Sequence, residues 1–370
     1  MQFIDLQAQY RAYRDEIDAA IHGVLDSSRY INGPQVVALE EALAAFVGVR
    51  HAVGFSSGTD SLRATLMAWG IGPGDEVITT PFTFVATAEV IAALGAKPVF
   101  VDVDPDTLNL DPRALEAAIT PRTRAIVPVS LYGQCADFDA INPIAKRHRL
   151  HCLEDACQSL GASSHGRRSG SLTEAAAVSF FPAKPLGCYG DGGMVFTDDA
   201  DLAGRLRRVR EHGQEARYRH AVVGINGRLD TLQAAILLAK LPHFATEITQ
   251  RQQVAGYYLQ HLAGLVRLPV IRPGQVSVFS QFTIRVPDRE RVVRVCEAHG
   301  VPTAIHYPIP LHHQPVFASG PLALGYGAGD LPVAVQAARE VLSLPMHPFL
   351  TADQQDQVVA AIRDAVAGTS

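Results

Sequence analysis

The sequence predicts an α/β protein, with a large domain whose mostly parallel sheet is sandwiched by helices and a smaller C-terminal α+β domain. Short apolar runs alternate with helical patterns between residues 51 and 197. Runs without polar alternation are typical of parallel strands that are buried on both faces. A third observation marks the second domain, because this pattern ends after Leu241-Pro242. We therefore predict a large domain at residues 1–240 and a small domain at residues 241–370.

The chain begins with two predicted helices. Apolar residues such as Ile17 and Val24 recur at helical spacing between residues 6 and 25, which predicts one amphipathic helix. The turn Asn32-Gly33-Pro34 separates it from a second helix at about residues 35–47.

Seven predicted strands and their connecting helices complete the large domain. The strands are 52–55, 76–79, 98–101, 125–129, 151–154, 176–181 and 193–197. The first connecting helix runs from about residue 58 to near Gly70, and the others span 87–94, 111–119 and 139–147. In such sheets the functional residues are expected in loops at strand ends.

The second domain has fewer predicted elements. A long helix runs from about residue 229 past Pro242 to about residue 262, and a Pro/Gly loop leads to a strand at 280–286. A helix at 289–299, a Pro-rich stretch at 302–315 and a final helix at 352–366 follow.

Composition excludes several classes of protein. Of 370 residues, 48% are hydrophobic and 19% are charged, which excludes a disordered chain. The formal net charge of −5 gives no indication of a nucleic-acid partner. The five cysteines include no CxxC pair, so we predict neither a disulfide framework nor a metal site. The first residues lack a signal-peptide pattern and no apolar run reaches ~18 residues, so we expect a cytoplasmic protein without membrane contact.

Three segments at predicted strand ends carry the chemistry. In Ser56-Ser57-Gly58-Thr59 a strand meets a helix, and a helix start offers free N–H groups to a phosphate, although this pattern also fits an ordinary cap. Asp155 ends a strand in the segment Glu154-Asp155-Ala156-Cys157-Gln158. Lys184 follows an apolar strand and precedes Gly190-Asp191-Gly192-Gly193.

This order of segments matches the needs of pyridoxal phosphate. That cofactor requires a phosphate cradle, an aspartate at its ring nitrogen and a lysine that binds it covalently. A lysine desolvated between aromatic residues and a Gly-rich turn has a lowered pKa and is a better nucleophile. The Gly-rich turn lacks GxGxxG spacing, which argues against a Rossmann oxidoreductase.

Over nearly its whole length, the chain resembles the sugar-nucleotide aminotransferases of the fold-type-I pyridoxal-phosphate superfamily, the DegT/DnrJ/EryC1/StrS family. The segments that carry the resemblance occur in order at 57–59, 81–87, 102–105, 131–134, 154–158, 179–193, 227–235 and 306–308. Segments 130–139, 184–193 and 344–348 resemble one subgroup more narrowly. Its members aminate C3 of UDP-2-acetamido-2-deoxy-3-oxo-D-glucuronate with L-glutamate as donor, in bacterial O-antigen pathways.

The resemblance implies roles for the matching residues. Lys184 would bind the cofactor covalently and shuttle a proton, and Asp155 would pair with the pyridinium nitrogen. Gln158 would lie near the 3-oxygen of the ring, and Phe84 would stack on its face. The residues implied to hold the phosphate are Gly58, Thr59, Ser179 and, from a partner subunit, Asn226. The resemblance therefore also implies a homodimer with shared active sites.

The candidates for substrate binding are Arg228, His306, Tyr307 and His212. A carboxylate favours a bidentate arginine, so Arg228 could bind glutamate and the uronate in turn. Arg228 also fits a surface position at a helix start, and His306-Tyr307 also fits a packing pair. His212 lies in a loop that resembles the family's partner-subunit lip.

Two departures and two alternatives remain. Cys157 replaces the alanine expected beside Asp155, and Ser57 stands where the subgroup tends to have asparagine, which weakens the prediction of the substrate. One alternative is an aminotransferase for a dTDP-linked 3-keto or 4-keto-6-deoxyhexose, which has no carboxylate. The other is a non-catalytic paralogue, against which the presence of Lys184 and Asp155 argues.

Overall fold

The computed structural model describes residues 1–367, so the last three positions of the predicted second domain lie outside the described residues. The helices are α1 (Leu6–Ala12), α2 (Arg14–Ser27), α3 (Pro34–Val47), α4 (Gly58–Ala68), α5 (Ala86–Ala93), α6 (Pro112–Leu115), α7 (Phe138–His148), α8 (Ala200–Arg210), α9 (Thr231–Lys240), α10 (Phe244–His261), α11 (Arg289–Ala298), α12 (Pro315–Ala318), α13 (Pro332–Glu340) and α14 (Ala352–Ala367). The strands are β1 (His51–Phe55), β2 (Glu76–Thr79), β3 (Lys97–Phe100), β4 (Thr123–Val127), β5 (His151–Asp155), β6 (Ser163–Ser164), β7 (Arg167–Arg168), β8 (Ala175–Ser179), β9 (Gly193–Thr197), β10 (Gln214–Ala216), β11 (Arg219–His220), β12 (Gln275–Val276), β13 (Phe282–Arg285) and β14 (Val341–Leu344).

A seven-stranded sheet with the order β1-β9-β8-β5-β4-β2-β3 forms the centre of the large domain. Only β9 runs antiparallel to its neighbours β1 and β8, and the other adjacent pairs are parallel. The predicted mostly parallel sheet is confirmed. Because β8 and β9 are antiparallel, a hairpin connection joins them without a helical crossover.

Helices cover both faces of this sheet. Ala175 and Ala177 of β8 belong to a core that includes side chains of α4 and α8. Ala176 and Val178 point to the other face and belong to a core with side chains of α3 and α9. This alternation explains why β8 reads as a continuous apolar run.

The small domain is built on the antiparallel pair of β13 and β14. Side chains of α10, α11 and α14 form its core with these strands. The α+β character predicted for this part of the chain is confirmed. The predicted boundary at 240/241 falls in the turn between α9 and α10 and stays a prediction.

The predicted helix at residues 6–25 is wrong in one respect, because the structure divides it into α1 and α2. Tyr13 leaves helical geometry with φ of −120°, and its ring stacks on His243 with centroids 4.0 Å apart. This tertiary contact overrides the local periodicity. The long helix predicted from about residue 229 to 262 is also divided, into α9, a 3₁₀ turn (Leu241–His243) and α10. The break occurs at Pro242, which lacks a backbone N–H.

Several elements have no counterpart in the sequence-based prediction, among them α8, α13 and β14. The signal for α8 was available, since Asp199 caps it by accepting from the N–H groups of Asp201 and Leu202. No Gly or Pro separates α13 from β14, so nothing local marks that change of structure.

Parallel strands end at the same edge of the sheet. The loops that follow β1, β2, β5 and β8 therefore meet there, and this edge carries the site described below. Within residues 1–367, none of the helices has the length and apolar character needed to cross a bilayer.

Candidate active site

A cavity of about 500 Å³ opens at the carboxyl edge of the large sheet, beside the small domain. Its volume is in the range of sites that hold a small molecule. The predicted site residues that line it are Gly58, Thr59, Phe84, Asp155, Gln158, Ser179, Lys184, His306 and Tyr307. The structure therefore brings together predicted residues that are up to about 250 positions apart in the chain.

One wall of the cavity is the start of α4. Ser57 caps this helix, because its Oγ accepts a hydrogen bond of 3.0 Å from the backbone N–H of Asp60. A Cβ added to Gly58 would lie 2.7 Å from Ser179 Cβ and 2.9 Å from Cys157 Sγ. Only glycine fits, so the helix start packs directly against the end of β8. The first N–H groups of the helix are left without intrahelical partners, as an anion site requires.

Asp155 lies at the end of β5 and is 4% exposed. Thr87 Oγ1 donates to its Oδ2 at 2.7 Å, and the backbone N–H of Cys157 donates to its Oδ1 at 3.2 Å. These two bonds fix the carboxylate at the cavity. Thr87 was not predicted as a site residue, although it belongs to the matching segment 81–87, and its position relative to Asp155 is a tertiary feature.

Lys184 lies in the β8–β9 connection, where its backbone N–H donates to the carbonyl of Phe181 at 2.8 Å. Burial lowers the pKa of Lys184 below the ordinary lysine value, while Cys157 and Asp155 act in the opposite direction. More of the amine is therefore neutral near pH 7 than in an exposed lysine, as a nucleophile requires.

Cys157 does not compete with that amine. Burial, followed by the charge of Asp155, raises the pKa of the Cys157 thiol well above its ordinary value. A protonated thiol is a poor nucleophile. The departure from alanine at this position thus places an unreactive thiol beside Gly58.

A hydrogen-bonded chain connects β5 to the small-domain side of the cavity. Gln158 Oε1 accepts from the backbone N–H of Tyr132 at 2.7 Å, and its Nε2 donates to Tyr307 Oη at 3.0 Å. Tyr132 Oη donates to the carbonyl of His306, whose Nδ1 contacts Ser343 Oγ at 2.9 Å. The chain holds Gln158, His306 and Tyr307 in fixed orientations.

These contacts also set protonation. Burial raises the pKa of Tyr307 above the ordinary tyrosine value, so its hydroxyl keeps its proton and can donate a hydrogen bond. Burial, followed by the charge of Lys184, lowers the pKa of His306. The imidazole is therefore neutral near pH 7, which disfavours His306 as a cationic partner for a carboxylate.

The remaining walls are aromatic or come from distant segments. Phe84 is 56% exposed, and its ring centroid lies 6.2 Å from that of Tyr307, so its face is free for a flat ligand. Phe3, Ile4 and Gln281 also line the cavity. Sequence reasoning missed these three, because no motif surrounds them.

Three predicted site residues do not line this cavity in the single chain. Arg228 Nη1 pairs with Glu211 Oε2 at 3.2 Å, and Arg228 Nε is buried without a partner within residues 1–367. His212 and Asn226 are exposed in the segment between α8 and α9. Their predicted roles therefore remain predictions that concern an assembly of two chains.

The residues of the cavity fit pyridoxal phosphate. The glycine cradle at Gly58 matches a phosphate, the buried Asp155 carboxylate requires a cationic partner such as a protonated ring nitrogen, and the Lys184 amine is poised for an aldehyde. A site with these three groups, on a sheet of this order, belongs to the fold-type-I enzymes that use this cofactor.

Residues 11–363 match the model of the DegT/DnrJ/EryC1/StrS aminotransferase family. The chain belongs to this family and is an aminotransferase. The cofactor of the family is pyridoxal phosphate.

Two relatives span the chain. The UDP-2-acetamido-2-deoxy-3-oxo-D-glucuronate aminotransferase of Pseudomonas aeruginosa is 53% identical over 363 residues, which are 98% of this chain and 99% of the relative. The UDP-N-acetyl-3-dehydro-alpha-D-glucosamine 3-aminotransferase of Acidithiobacillus ferrooxidans is 46% identical, over 99% of this chain and 98% of the relative.

The fold likewise matches a solved structure. The crystal structure of DesV from S. venezuelae, in complex with a ketimine intermediate, superposes with a TM-score of 0.95 and is 45% identical. The match covers 98% of this chain and 97% of that chain.

Proposed function

We propose that this protein transfers the amino group of L-glutamate to C3 of UDP-2-acetamido-2-deoxy-3-oxo-D-glucuronate, in bacterial O-antigen or polysaccharide synthesis in the cytoplasm. The observation that carries the choice of substrate is the 53% identity with the Pseudomonas aeruginosa enzyme over 98% of the chain. The choice of reaction rests on the lowered pKa of Lys184 and on its place beside Asp155 in one cavity.

Each cofactor-binding residue has a physical task in this proposal. Bound in the cavity, pyridoxal phosphate withdraws electrons from the substrate carbon and carries the amino group between the two substrates. Asp155 keeps the ring nitrogen protonated, and Phe84 covers the ring face. Gln158 would face the ring 3-oxygen. The phosphate is held by Gly58, Thr59 and Ser179.

Lys184 has a second task, which is proton transfer. Its neutral amine would take a proton from the α-carbon of the amino donor and would return it on the cofactor side, as general acid–base catalysis requires. The lowered pKa favours the accepting form.

The active unit in this proposal is a homodimer. The β10–β11 hairpin exposes Tyr218 by 80%, and Val223 follows at 82%, and exposed apolar side chains of this kind are typical of a contact surface. The same segment carries His212 and Asn226. We infer that it reaches the cavity of a second copy, where Asn226 would contact the phosphate.

The proposed roles of the substrate residues follow from this assembly. Arg228 is proposed to bind the carboxylates of glutamate and the uronate in turn, exchanging its contact with Glu211 for the substrate. His306 and Tyr307 are proposed to contact the sugar as neutral groups. A role of His212 is proposed only at the lip between the two chains.

The first experiment follows the visible absorption of the cofactor-loaded protein. L-glutamate should abolish the band of the lysine-bound cofactor, and the uronate keto-sugar should restore it. Without loss of the band after glutamate, or without recovery with any 3-keto sugar nucleotide, the proposal fails. The Lys184→Ala variant is the control, because it has no amine to form the band.

A second substrate tests the carboxylate. UDP-N-acetyl-3-dehydro-alpha-D-glucosamine has the same base and keto position but no carboxylate. Since a hydrogen bond to a charged group contributes ~1.5–3 kcal/mol, kcat/KM for the uronate should be roughly 10- to 100-fold higher. Equal values would assign the chain to a neutral sugar, and a preference for a dTDP-linked 6-deoxyhexose would support the alternative.

The shared site can be tested by mixing two inactive variants. Lys184→Ala removes the amine, and Asn226→Asp places a negative charge against the phosphate. If each site takes its lysine from one chain and Asn226 from the other, subunit exchange at equal amounts restores about one quarter of wild-type sites. No restoration in an exchanging mixture would place Asn226 in the site of its own chain or outside it.

A further inference from the structure

The polar groups that face the cavity from the small-domain side differ in whether they already have hydrogen-bond partners. The Gln158 amide is bound at both ends, and His306 Nδ1 contacts Ser343. Tyr307 Oη already accepts from Gln158. Gln281 lines the same cavity, but its Oε1 is buried and has no hydrogen-bond partner within residues 1–367.

Gln281 is placed at the junction of the two domains. It immediately precedes β13, so its backbone is anchored by the β13–β14 pair. A buried amide oxygen without a partner costs free energy, so such a group calls for an explanation, and at the wall of a cavity a ligand can supply the partner. Rotation about the terminal side-chain bond brings either the oxygen or the nitrogen of the amide to the cavity.

Two apolar residues from the N-terminus line the same cavity as Gln281. These are Phe3 and Ile4, and the backbone N–H of Met346 donates to the carbonyl of Phe3 at 3.3 Å. The ring of Phe3 lies 6.1 Å from that of His306. The residues assigned to the cofactor lie on the large domain, so this wall is left for the substrate.

We propose that Gln281 is a substrate-binding residue that hydrogen-bonds the sugar ring of the keto-sugar nucleotide, through a ring hydroxyl or the 2-acetamido group. The proposal rests on the proposed function, because it assumes that a sugar nucleotide is the amino acceptor. L-glutamate is smaller and carries neither group, so Gln281 acts in the second half-reaction and not in the first.

The test compares the two half-reactions in Gln281→Met, which keeps the length of the side chain and removes the amide. Single-turnover loss of the visible band with L-glutamate should change less than about twofold, while recovery with UDP-2-acetamido-2-deoxy-3-oxo-D-glucuronate should lose about tenfold or more in kcat/KM. The Gln281→Asn variant keeps an amide on a shorter side chain. Its kcat/KM for the keto-sugar should lie between those of wild type and Gln281→Met.

Gln275→Met is the matched control. Gln275 lies six residues earlier, on β12, and its Oε1 is also buried without a partner within the described chain, but it does not line the cavity. This variant should match wild type in both half-reactions. If it loses sugar turnover as Gln281→Met does, the effect comes from the small domain and not from substrate contact.

The outcomes separate this inference from the proposed function. If wild type reacts with both substrates and Gln281→Met reacts with both at the wild-type rates, Gln281 binds no sugar. Equal loss in both half-reactions would assign Gln281 to the cofactor or the fold and overturn the inference. If wild type itself fails with the sugar, the proposed function fails first. Should Gln281→Met not fold, the Gln281→Asn comparison decides alone.

Discussion

The hydrogen bond from Thr87 to Asp155 offers a direct test of how the site works. Thr87 is 1% exposed and Asp155 is 4% exposed, and their oxygens lie 2.7 Å apart. Thr87→Val keeps the branched shape and removes the hydroxyl. Asp155 then still has the 3.2 Å bond from the backbone N–H of Cys157.

The magnitude follows from burial. A hydrogen bond to a charged group contributes ~1.5–3 kcal/mol, and nothing in a buried site replaces it. If Asp155 must be held at the ring nitrogen in the transition state, this loss corresponds to a roughly 10- to 100-fold decrease in kcat. Thr87→Ser is the complementary variant, because it keeps the hydroxyl but removes a buried methyl. We expect it to lower the free energy of unfolding by ~1 kcal/mol.

The assay is the single-turnover rate of loss of the visible band at saturating L-glutamate, with urea unfolding measured in parallel. We expect Thr87→Val to be slow and Thr87→Ser to be near wild type in rate but less stable. If Thr87→Val reacts at the wild-type rate while Thr87→Ser does not, orientation of Asp155 by this hydroxyl is refuted.

Four further predictions concern single residues. Lys184→Ala should abolish turnover while cofactor still binds noncovalently, and normal activity would contradict the mechanism. Gly58→Ala should weaken cofactor binding, measured by titration, because its Cβ would lie 2.7 Å from Ser179 Cβ; unchanged affinity would show that the helix start does not approach the phosphate. Arg228→Ala should raise KM for both carboxylate substrates with little unfolding, since Glu211 keeps a contact with Arg210 at 3.6 Å; unchanged kcat/KM for both would remove Arg228 from the site. Because burial lowers the pKa of Lys184, its amine becomes neutral as pH rises at lower values than the ordinary ~10.4, so the rate of band formation from apoenzyme and cofactor should reach its plateau below that pH.

The large sheet was predictable because each of its strands has a recognisable pattern in the sequence. Each is a short apolar run, and six of the seven run parallel, so local pattern and global fold agree. The antiparallel direction of β9 was not predictable in this way, because periodicity carries no direction. It depends on the short connection that contains Lys184.

The site was predictable only where chemistry lies within a segment. Asp155 and Lys184 stand in short runs whose composition is informative by itself. Thr87 contacts Asp155, which is distant in the chain, and Gln281 and Phe3 reach the cavity from segments far from the motifs. Residues of this kind become visible only when the fold brings their partners together.

Helix α10 has a consequence for how the whole chain unfolds. Its first residue, Phe244, is buried in the core shared with α3 and α9, whereas Val254 and Tyr258 are buried in the core of β13 and β14. One helix is thus a structural member of two cores, and neither can lose it alone. We expect thermal melting in a single cooperative transition for both domains, and chains cut at 240/241 to yield two fragments that do not fold independently.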